Sequence, residues 1–299
     1  MQIGLTSGAP GVARTVADAQ RAESEGFAAY ATPGDSTATL ALIGAQTDRI
    51  RLLTAVVPIF GTHPATVAGQ AQVAQDASNG RFTLGVGLSH RPMVVDQMGL
   101  PFDRPAARMR EYLQILVPLL RGEAVDQTGE YYSFHGEARP SAGGDVPCAI
   151  AALAPVMLRL SGELAGGTIL WMANAKAIED HIGPRVNRAA SNAGAPAPEI
   201  IAGLPVALTD DPADAREQAN QQFAMYGTLP SYRAVLDHGG AANPGDAALV
   251  GNEAELDAEL DRLEAAGVTL FNPAIFRTEQ GGPARTREYL ASRAQARNG

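Results

Sequence analysis

Short runs rich in valine, isoleucine and leucine alternate with longer runs that have the apolar spacing of amphipathic helices, from one end of the chain to the other. The first pair is QIGLT (2–6) followed by residues 12–27, and Gly26 stands where a helix commonly ends. The pattern repeats about eight times, the number of strand–helix units that closes a barrel at this length. It predicts an α/β chain folded as a (β/α)8 TIM barrel rather than an open sheet.

The predicted strands are 2–6, 28–32, 49–57, 82–87, 147–153, 168–173, 200–209 and 268–273. Predicted helices cover 12–27, 36–47, 64–78, 103–120, 155–165, 175–192 and 283–297, and two more begin at Asp211–Pro212 and at Asn252. We expect residues 121–146, with EYYSF in the middle, to be an insertion with one short extra strand after the fourth strand–helix unit. No linker interrupts the pattern, so we expect a single domain over residues 1–299.

Residues 83–90 read TLGVGLSH and contain two closely spaced glycines. A dinucleotide-binding fingerprint requires a third glycine where His90 stands, and a helix that begins at once. The next predicted helix begins only near Asp103. We therefore interpret TLGVG as the fourth strand and Ser89–His90 as the start of the loop that follows it.

Composition narrows the function classes. The formal net charge is −9 and the only lysine is Lys176, which argues against nucleic-acid binding. No apolar run reaches the length of a membrane span, and MQIGLTSG lacks the basic start of an export signal, so we expect a cytoplasmic protein without a membrane partner. Cys148 is the only cysteine, which excludes an internal disulfide, and we expect it in the core.

In a barrel of this kind the active site lies at the carboxyl ends of the strands. Carboxylates are nearly absent from the predicted ends, where Asp35 stands alone, so we expect no metal site. No GxSxG motif or strand-end cysteine supplies a nucleophile. The lysine of a Schiff-base aldolase should lie on a strand, whereas Lys176 lies just past the sixth strand. A phosphosugar isomerase would need a late-strand glutamate base, and none is visible. Carboxyl ends of strands that are lined by apolar residues, with few acids or bases, suit a bound organic cofactor that carries the reactivity itself.

The stretch TAVVPIFGTHPATVAGQAQVAQDASNGRFTLGVGLSHRPMVVDQMG (54–99) resembles the bacterial luciferase-like family of flavin and deazaflavin barrel enzymes. The resemblance continues through MREYLQILVPLLRGEAVDQTGEYYSF (109–134), AALAPVMLRLSGELAGGTILWMA (151–173) and ALVGNEAELDAELDRLEAAGVTLFNP (248–273). It is closest to the branch that uses coenzyme F420. The resemblance implies an F420-dependent oxidoreductase with a small-molecule substrate, assembled as a homodimer.

The same resemblance implies a set of cofactor-contacting residues. The bond Ala55–Val56 aligns with a non-proline cis peptide that backs the deazaflavin ring, and Leu88 and Ser89 align with further contacts. The loop after the fifth strand aligns with residues near the cofactor phosphate, where helix-start amides favour an anion. The complete expected set is Thr6, Ala55, Val56, Leu88, Ser89, Ala154, Pro155 and Met157.

His90 aligns with a glutamate thought to act as an acid in the glucose-6-phosphate-oxidising members. An imidazole there could donate a proton beside the atom that receives hydride, or could only hydrogen-bond the cofactor. We expect His63 to serve the loop or helix start, and Trp171 to be a core residue before a substrate contact. Because ATPGDSTAT lacks the histidine of the sugar-phosphate oxidisers and no lysine cluster is present, glucose 6-phosphate is a poor substrate candidate.

The sequence therefore favours an F420-dependent reductase that transfers hydride to an activated C=C or C=N bond, with His90 or water supplying the proton. Two alternatives stay open. One is an FMN-dependent monooxygenase of the same family, because the two cofactors have similar rings and phosphates. The other is a flavin-binding barrel without catalytic activity.

Overall fold

A parallel sheet forms the centre of the protein. The structure is a computed structural model that describes residues 1–7, 10–278 and 282–298. The strands of the central sheet are Gln2–Ile3, Leu5–Thr6, Ala29–Thr32, Arg51–Thr54, Val57–Pro58, Phe82–Gly87, Cys148–Ala151, Gly167–Trp171, Glu199–Gly203, Pro205–Leu208, Leu249–Gly251, Leu270–Phe271 and Ala274–Ile275.

The sheet curls until its ends meet on the first strand. Residues 2–3 pair with 270–271, whereas Leu5 and Thr6 pair with Tyr30 and Ala31 of the second strand. Between these contacts, each predicted strand pairs in parallel with the next along the chain. The α/β class expected from the alternating pattern is confirmed, and parallel pairing brings all the carboxyl ends to one edge. We call this edge the rim.

Helices connect the strands, mostly as the spacing predicts. Asn252 accepts a hydrogen bond from the N–H of Glu255, whose carboxylate accepts one from the N–H of Asn252, so the expected capped start is confirmed. Asp211 caps the helix that begins at Pro212. The helices are Val12–Ser24, Thr37–Gly44, Pro64–Ala77, Pro105–Leu120, Pro155–Leu164, Ala175–Ala177, Gly183–Asn192, Pro212–Gln222, Ala224–Thr228, Pro230–His238, Pro244–Ala247, Glu253–Ala265 and Pro283–Asn298, with π-helical turns at Met93–Gln97 and Ile178–Ile182.

The segment 121–146 holds two strands, so the expectation of one extra strand is wrong. Ala124–Gln127 pairs antiparallel with Phe134–Glu137, and most of EYYSF lies in the connection between them. The Glu111 carboxylate accepts hydrogen bonds from the N–H groups of residues 130, 131 and 132 at 3.1, 2.7 and 3.1 Å. These bonds satisfy backbone donors of the connection, which the periodicity of the sequence could not predict.

A second difference lies between the fourth strand and the next helix. The sequence predicts a helix only from residue 103, whereas the structure has a helical turn at Met93–Gln97 before the helix Pro105–Leu120. The N–H of Val94 donates to the carbonyl of His90 at 3.0 Å, which begins this turn. The turn lies immediately after the rim and fixes the backbone that carries His90.

The amino-terminal end of the curled sheet is closed by an ion pair. Arg51 and Glu199 come from strands on different sides of the sheet, and the guanidinium binds both carboxylate oxygens at 2.7 and 2.6 Å. Its Nε also donates to Thr83 Oγ1 at 2.9 Å. The side chains of Arg51, Glu199 and Thr83 therefore fill the amino-terminal end of the sheet interior. Among the described residues, no helix combines the length and the apolar character needed to cross a membrane.

Candidate active site

A small apolar cluster lies inside the curled sheet, apart from the larger core between sheet and helices. Its members come from strands on opposite sides, so their side chains meet across the interior. Half of them are alanines. The cluster consists of Ala29, Ala31, Leu53, Ala149, Ile201 and Leu270, with Ala55 and Ile169 packed against it.

The two glycines of TLGVG let the third and fourth strands approach closely. A Cβ added at Gly85 would lie 2.2 Å from the carbonyl oxygen of Thr54, and one at Gly87 would lie 2.6 Å from Cγ2 of Val56. The Thr54 hydroxyl also bonds the Gly85 backbone twice, at 2.9 and 2.8 Å. These glycines therefore serve strand packing, in agreement with the interpretation of this stretch as a strand.

The third strand is interrupted at the rim. The peptide bond between Ala55 and Val56 is cis, as the resemblance implied. Val57 and Pro58 then continue alongside Val86 and Gly87 of the fourth strand. This pairing places the partly buried side chains of Ala55 and Val56 next to the start of the loop at Leu88.

His90 is the titratable side chain of that loop. Ser89 precedes it with a φ of 59°, in the left-handed region, and its hydroxyl contacts the Met93 sulfur at 3.7 Å. The His90 ring is partly buried and stands edge-on to Tyr226 and Tyr232, with ring centroids 6.3 and 5.7 Å away. Burial lowers the pKa of His90 below its ordinary value of 6.5. The neutral imidazole is therefore the main form at neutral pH.

The tyrosines beside His90 belong to a segment that lies over the rim. This segment, residues 223–238, contains the short helices Ala224–Thr228 and Pro230–His238, and we call it the lid. Trp171, at the end of the sixth strand, contacts it in edge-to-face geometry, with centroid distances of 5.8 Å to Phe223 and 5.9 Å to Tyr226. We call Trp171, Phe223, Tyr226 and Tyr232 the aromatic wall.

Both ends of the lid are attached to the region after the sixth strand. Trp171 packs against the start of the lid, as described above, and the Asn174 amide donates to the carbonyl of Gly239 at 3.0 Å, just past its end. The imidazole of His238 also stacks on that of His181, with centroids 3.7 Å apart. His181 Nε2 lies 3.3 Å from the carbonyl oxygen of Leu153, in the loop after the fifth strand.

That loop leads into the helix Pro155–Leu164. Ala154 precedes the helix, and no side chain caps its start. Ala154 and Pro155 are exposed, whereas the side chain of Met157 is buried. The amides of the first turn have no i−4 carbonyl to bind, so they are available to an anion.

The remaining residues singled out in the sequence have structural partners. His63 caps the helix Pro64–Ala77, because its Nδ1 accepts from the N–H of Ala65 at 3.2 Å while Nε2 lies 3.2 Å from the carbonyl oxygen of Ser133. Exposed Lys176 pairs with Asp180. Cys148 is buried, and burial raises the pKa of its thiol to about 12, so it is a core residue as expected.

Thr6 lies at the end of the first strand, on the far side of the second strand from Ala55. Its hydroxyl donates to the carbonyl oxygen of Asn272 at 3.1 Å. Asn272 is 3% exposed, and within the described chain neither side-chain amide atom has a hydrogen-bond partner. A Cβ at Gly4 would lie 2.0 Å from Asn272 Oδ1, so the glycine makes space for the amide.

The structure thus brings together the rim residues of the third and fourth strands, with Thr6 farther around the rim. Sequence reasoning missed the lid tyrosines, whereas Trp171, expected first as a core residue, does pack against the main core while staying partly buried. The available signal was the clustering of Phe223, Tyr226 and Tyr232 in a chain with only 5% aromatic residues. In the described ranges, no group of three His, Cys, Asp or Glu side chains could hold a metal ion.

Comparison with known proteins decides the family. The sequence profile of luciferase-like monooxygenases matches residues 1–294. The chain belongs to the luciferase-like monooxygenase family. The family membership expected from the resemblance is confirmed.

Two curated relatives of this luciferase-like protein are archaeal reductases. The 5,10-methylenetetrahydromethanopterin reductase of Archaeoglobus fulgidus is 30% identical over 140 residues, 47% of this chain and 42% of that protein. The enzyme of the same name from Methanolobus tindarius is 25% identical over 247 residues, 78% of this chain and 74% of that protein. The matched region therefore covers less than half of the first relative.

Solved structures with this luciferase-like fold include enzymes of both cofactor types. The coenzyme F420-dependent tetrahydromethanopterin reductase of Methanopyrus kandleri has a TM-score of 0.81 at 20% identity, covering 97% of both chains. The oxygenating constituent of the 3,6-diketocamphane monooxygenase of Pseudomonas putida, in complex with FMN, has a TM-score of 0.75 at 18% identity, covering 99% of this chain and 98% of that one. At these identities the likeness concerns the fold.

Proposed function

We propose that this protein is an F420-dependent oxidoreductase that reduces an activated C=C or C=N bond of a small organic molecule. The observation that carries the proposal is His90, a partly buried imidazole at a rim that is otherwise lined mainly by apolar side chains and backbone. The reductase names of the curated relatives support the reaction class. The F420 dependence of a protein with the same fold supports the cofactor.

The residues at the rim fit a flat ring system. The backbone at Ala55 and Val56 and the loop backbone at Leu88 and Ser89 lie side by side, and half of the side chains in the interior cluster are alanines. Because Gly87 has no Cβ, the side chain of Val56 can pack directly against the backbone of the fourth strand. These residues would support the ring, with Thr6 approaching from the first strand.

The helix start after the fifth strand fits a phosphate. Ala154, Pro155 and Met157 lie at the start of this helix, where the positive end of the helix dipole favours negative charge. Proline at the first helical position donates no hydrogen bond, so the amides of the next two residues would bind the anion. These residues would hold the cofactor phosphate.

The deazaflavin, when bound, supplies the hydride chemistry that no side chain of the chain can supply. His90 would hold the proton that the substrate acquires, at whichever ring nitrogen faces the reacting bond. The lowered pKa of His90 makes the protonated form a stronger acid, although it is a minority form at neutral pH. Tyr226 and Tyr232 would exclude water from the lid side of the imidazole.

We further propose that the described strands form a complete (β/α)8 barrel in one domain, with 121–146 as its insertion. The return of the pairings to the first strand supports closure. A homodimer is supported by two exposed apolar side chains on neighbouring helices, Leu42 at 50% and Val73 at 62% exposure. Sedimentation of the wild type and of a Leu42→Glu/Val73→Glu variant tests the dimer, and a monomeric wild type would refute it.

The decisive experiment for the function is a pair of titrations of the purified protein with F420 and with FMN, followed by calorimetry. We expect micromolar binding of F420, with FMN at least about tenfold weaker, a difference of about 1.4 kcal/mol. Reduced F420 should then be consumed in the presence of enones or imines. The reverse preference would support the FMN-dependent monooxygenase alternative, and binding without any turnover would leave a non-catalytic flavin-binding barrel.

A further inference from the structure

We propose that the aromatic wall is a substrate subsite that selects an uncharged, flat aromatic ring and holds it beside His90. This inference rests on the proposed function, because the ring must be attached to the bond that is reduced. It adds a substrate class and specificity-determining residues, Trp171, Tyr226 and Tyr232, none of which lies among the proposed cofactor contacts.

The rings form a continuous edge-to-face series. Tyr226 is the central member, with its centroid 5.9 Å from Trp171, 4.7 Å from Tyr232 and 6.3 Å from His90. The interplanar angles of these contacts lie between 62° and 75°. Rings at such angles present both faces and edges, the geometry in which a further aromatic ring gains attraction beyond its buried area.

The rings of the wall pack against the main hydrophobic core without being enclosed by it. The lid helix Ala224–Thr228 buries none of its residues, although it carries Tyr226. Trp171, Tyr226 and Tyr232 are all only partly buried. Their remaining accessible surface lies next to His90 and can contact a ligand bound there.

The environment of the wall favours a ligand without charge. The recorded ring neighbours of His90 are Tyr226 and Tyr232, which carry no charge at neutral pH, and burial lowers the pKa of His90. A charged ligand would thus lose hydration without gaining a partner at this position. An aromatic ring, in contrast, loses little on leaving water and gains contacts with several rings at once.

The wall is held in place before any ligand binds. Asn174 bonds the carbonyl of Gly239, and the stacked pair His181–His238 fixes the last residue of the lid. A site whose side chains are already ordered loses less entropy on binding. The lid attachments therefore contribute to affinity without contacting the substrate.

The chain contains a single tryptophan, and it lies in the wall. Selectively excited indole emission therefore reports on occupancy of this subsite without any requirement for turnover. Two probes separate the aromatic ring from the reactive group: coumarin, an unsaturated lactone fused to a benzene ring, and dihydropyranone, the corresponding lactone without that ring. Calorimetry with the same probes excludes optical artefacts.

We expect coumarin to bind at least about tenfold more tightly than dihydropyranone, a difference of about 1.4 kcal/mol. Tyr232→Leu should abolish most of this preference by weakening coumarin alone, whereas Tyr232→Phe, which keeps the ring, should retain it. Equal affinities of the two probes for the wild type would overturn the inference. So would a Tyr232→Leu variant that weakens both probes equally. If Tyr232→Leu fails to fold, Tyr226→Leu should show the same loss of preference for coumarin. Equal affinities of the wild type for the two probes would still overturn the inference.

Binding of F420 to the same variants separates this inference from the proposed function. A Tyr232-dependent preference for coumarin in a protein that does not bind F420 would preserve the subsite and refute the cofactor. F420-dependent reduction of dihydropyranone and coumarin with equal specificity constants would preserve the function and refute the subsite. For Tyr232→Leu, a rise in KM for coumarin with unchanged affinity for F420 is the pattern expected if both are correct.

Discussion

The ring of Tyr232 stands edge-on to the imidazole of His90, with 5.7 Å between the two centroids. Tyr232 comes from the lid and His90 from the loop after the fourth strand, so the contact joins the lid to the rim. The phenol ring displaces water from one side of the imidazole, and burial disfavours the charged form of a histidine. Burial, to which this contact contributes, lowers the pKa of His90.

If His90 donates the proton, reduction should become faster as the pH falls from neutral toward the lowered pKa of His90, which is below 6.5. The reason is that only the protonated imidazole carries the transferable proton. His90→Gln should lower kcat about 100-fold and remove this pH dependence. His63→Gln, which alters a helix cap, is the matched control and should keep the profile. An unchanged pH profile in His90→Gln would assign the imidazole to cofactor binding alone.

Val156→Glu should weaken F420 binding about tenfold, or by about 1.4 kcal/mol. Val156 is 47% exposed and lies in the first turn of the proposed phosphate-binding helix, where a carboxylate repels a phosphate but is compatible with the helix dipole. Calorimetric titration at low and high salt measures the effect, which should decrease with screening. Val156→Gln has the same size without the charge. Equal affinities of the two variants would place the phosphate elsewhere.

Asn272→Leu should raise the free energy of unfolding by about 1 to 2 kcal/mol, since it removes a buried amide that has no partner in the described chain. Urea unfolding of the wild type and variant measures the difference. Asn298→Leu is the matched control, because the Asn298 amide bonds the backbone of Ile3 and Gly26. That control should lose stability. A loss of stability in Asn272→Leu as well would show that the amide binds a water molecule or another ligand.

Glu23 should contribute stability that depends on pH. Burial would raise the pKa of its carboxyl, but hydrogen bonds from the N–H groups of Ile50, Arg49 and Asp48, with the charge of Arg81, lower it below the ordinary 4.5. The unfolded chain therefore binds the proton more readily than the folded one. The stabilisation is complete above the ordinary pKa and is lost as the pH falls through the lower folded-state pKa.

The measurement for Glu23 is urea unfolding of wild type and Glu23→Gln at several pH values. The difference in unfolding free energy should be largest near neutral pH and should shrink on acidification. The exposed Glu288, replaced in the same way, serves as control and should show no such trend. A difference between wild type and Glu23→Gln that is constant with pH would mean that the backbone bonds do not depend on the charge.

The helices and strands could be predicted because their signals are local. Alternating apolar runs, the cap at Asp211 and the capping box at Asn252 each depend on a few consecutive residues, and the structure has elements at all of these places. The interruptions of the strands could not be predicted in the same way. At Asn272 the break depends on neighbours such as Gly4 at the other end of the chain.

The site was predicted only in part, again because sequence signals are local. His90 and the bond between Ala55 and Val56 lie at strand ends, which the pattern locates once a barrel is assumed. Tyr226 and Tyr232 lie in a segment whose helices are short, and their approach to His90 depends on how the lid folds back over the rim. Periodicity carries no information about such a contact between distant parts of the chain.

The lid is one uninterrupted stretch of the chain, anchored at both ends near Trp171 and Asn174, whereas the proposed cofactor contacts come from the first, third, fourth and fifth strands and their loops. Under the proposals above, two of the three residues that select the substrate lie in the lid, Trp171 lies in the sixth strand, and the cofactor contacts lie elsewhere in the gene. Related genes would then diverge in substrate mainly by exchanging or mutating the lid while they inherit the cofactor site unchanged. In this architecture, new specificities can evolve without a loss of catalytic competence along the way.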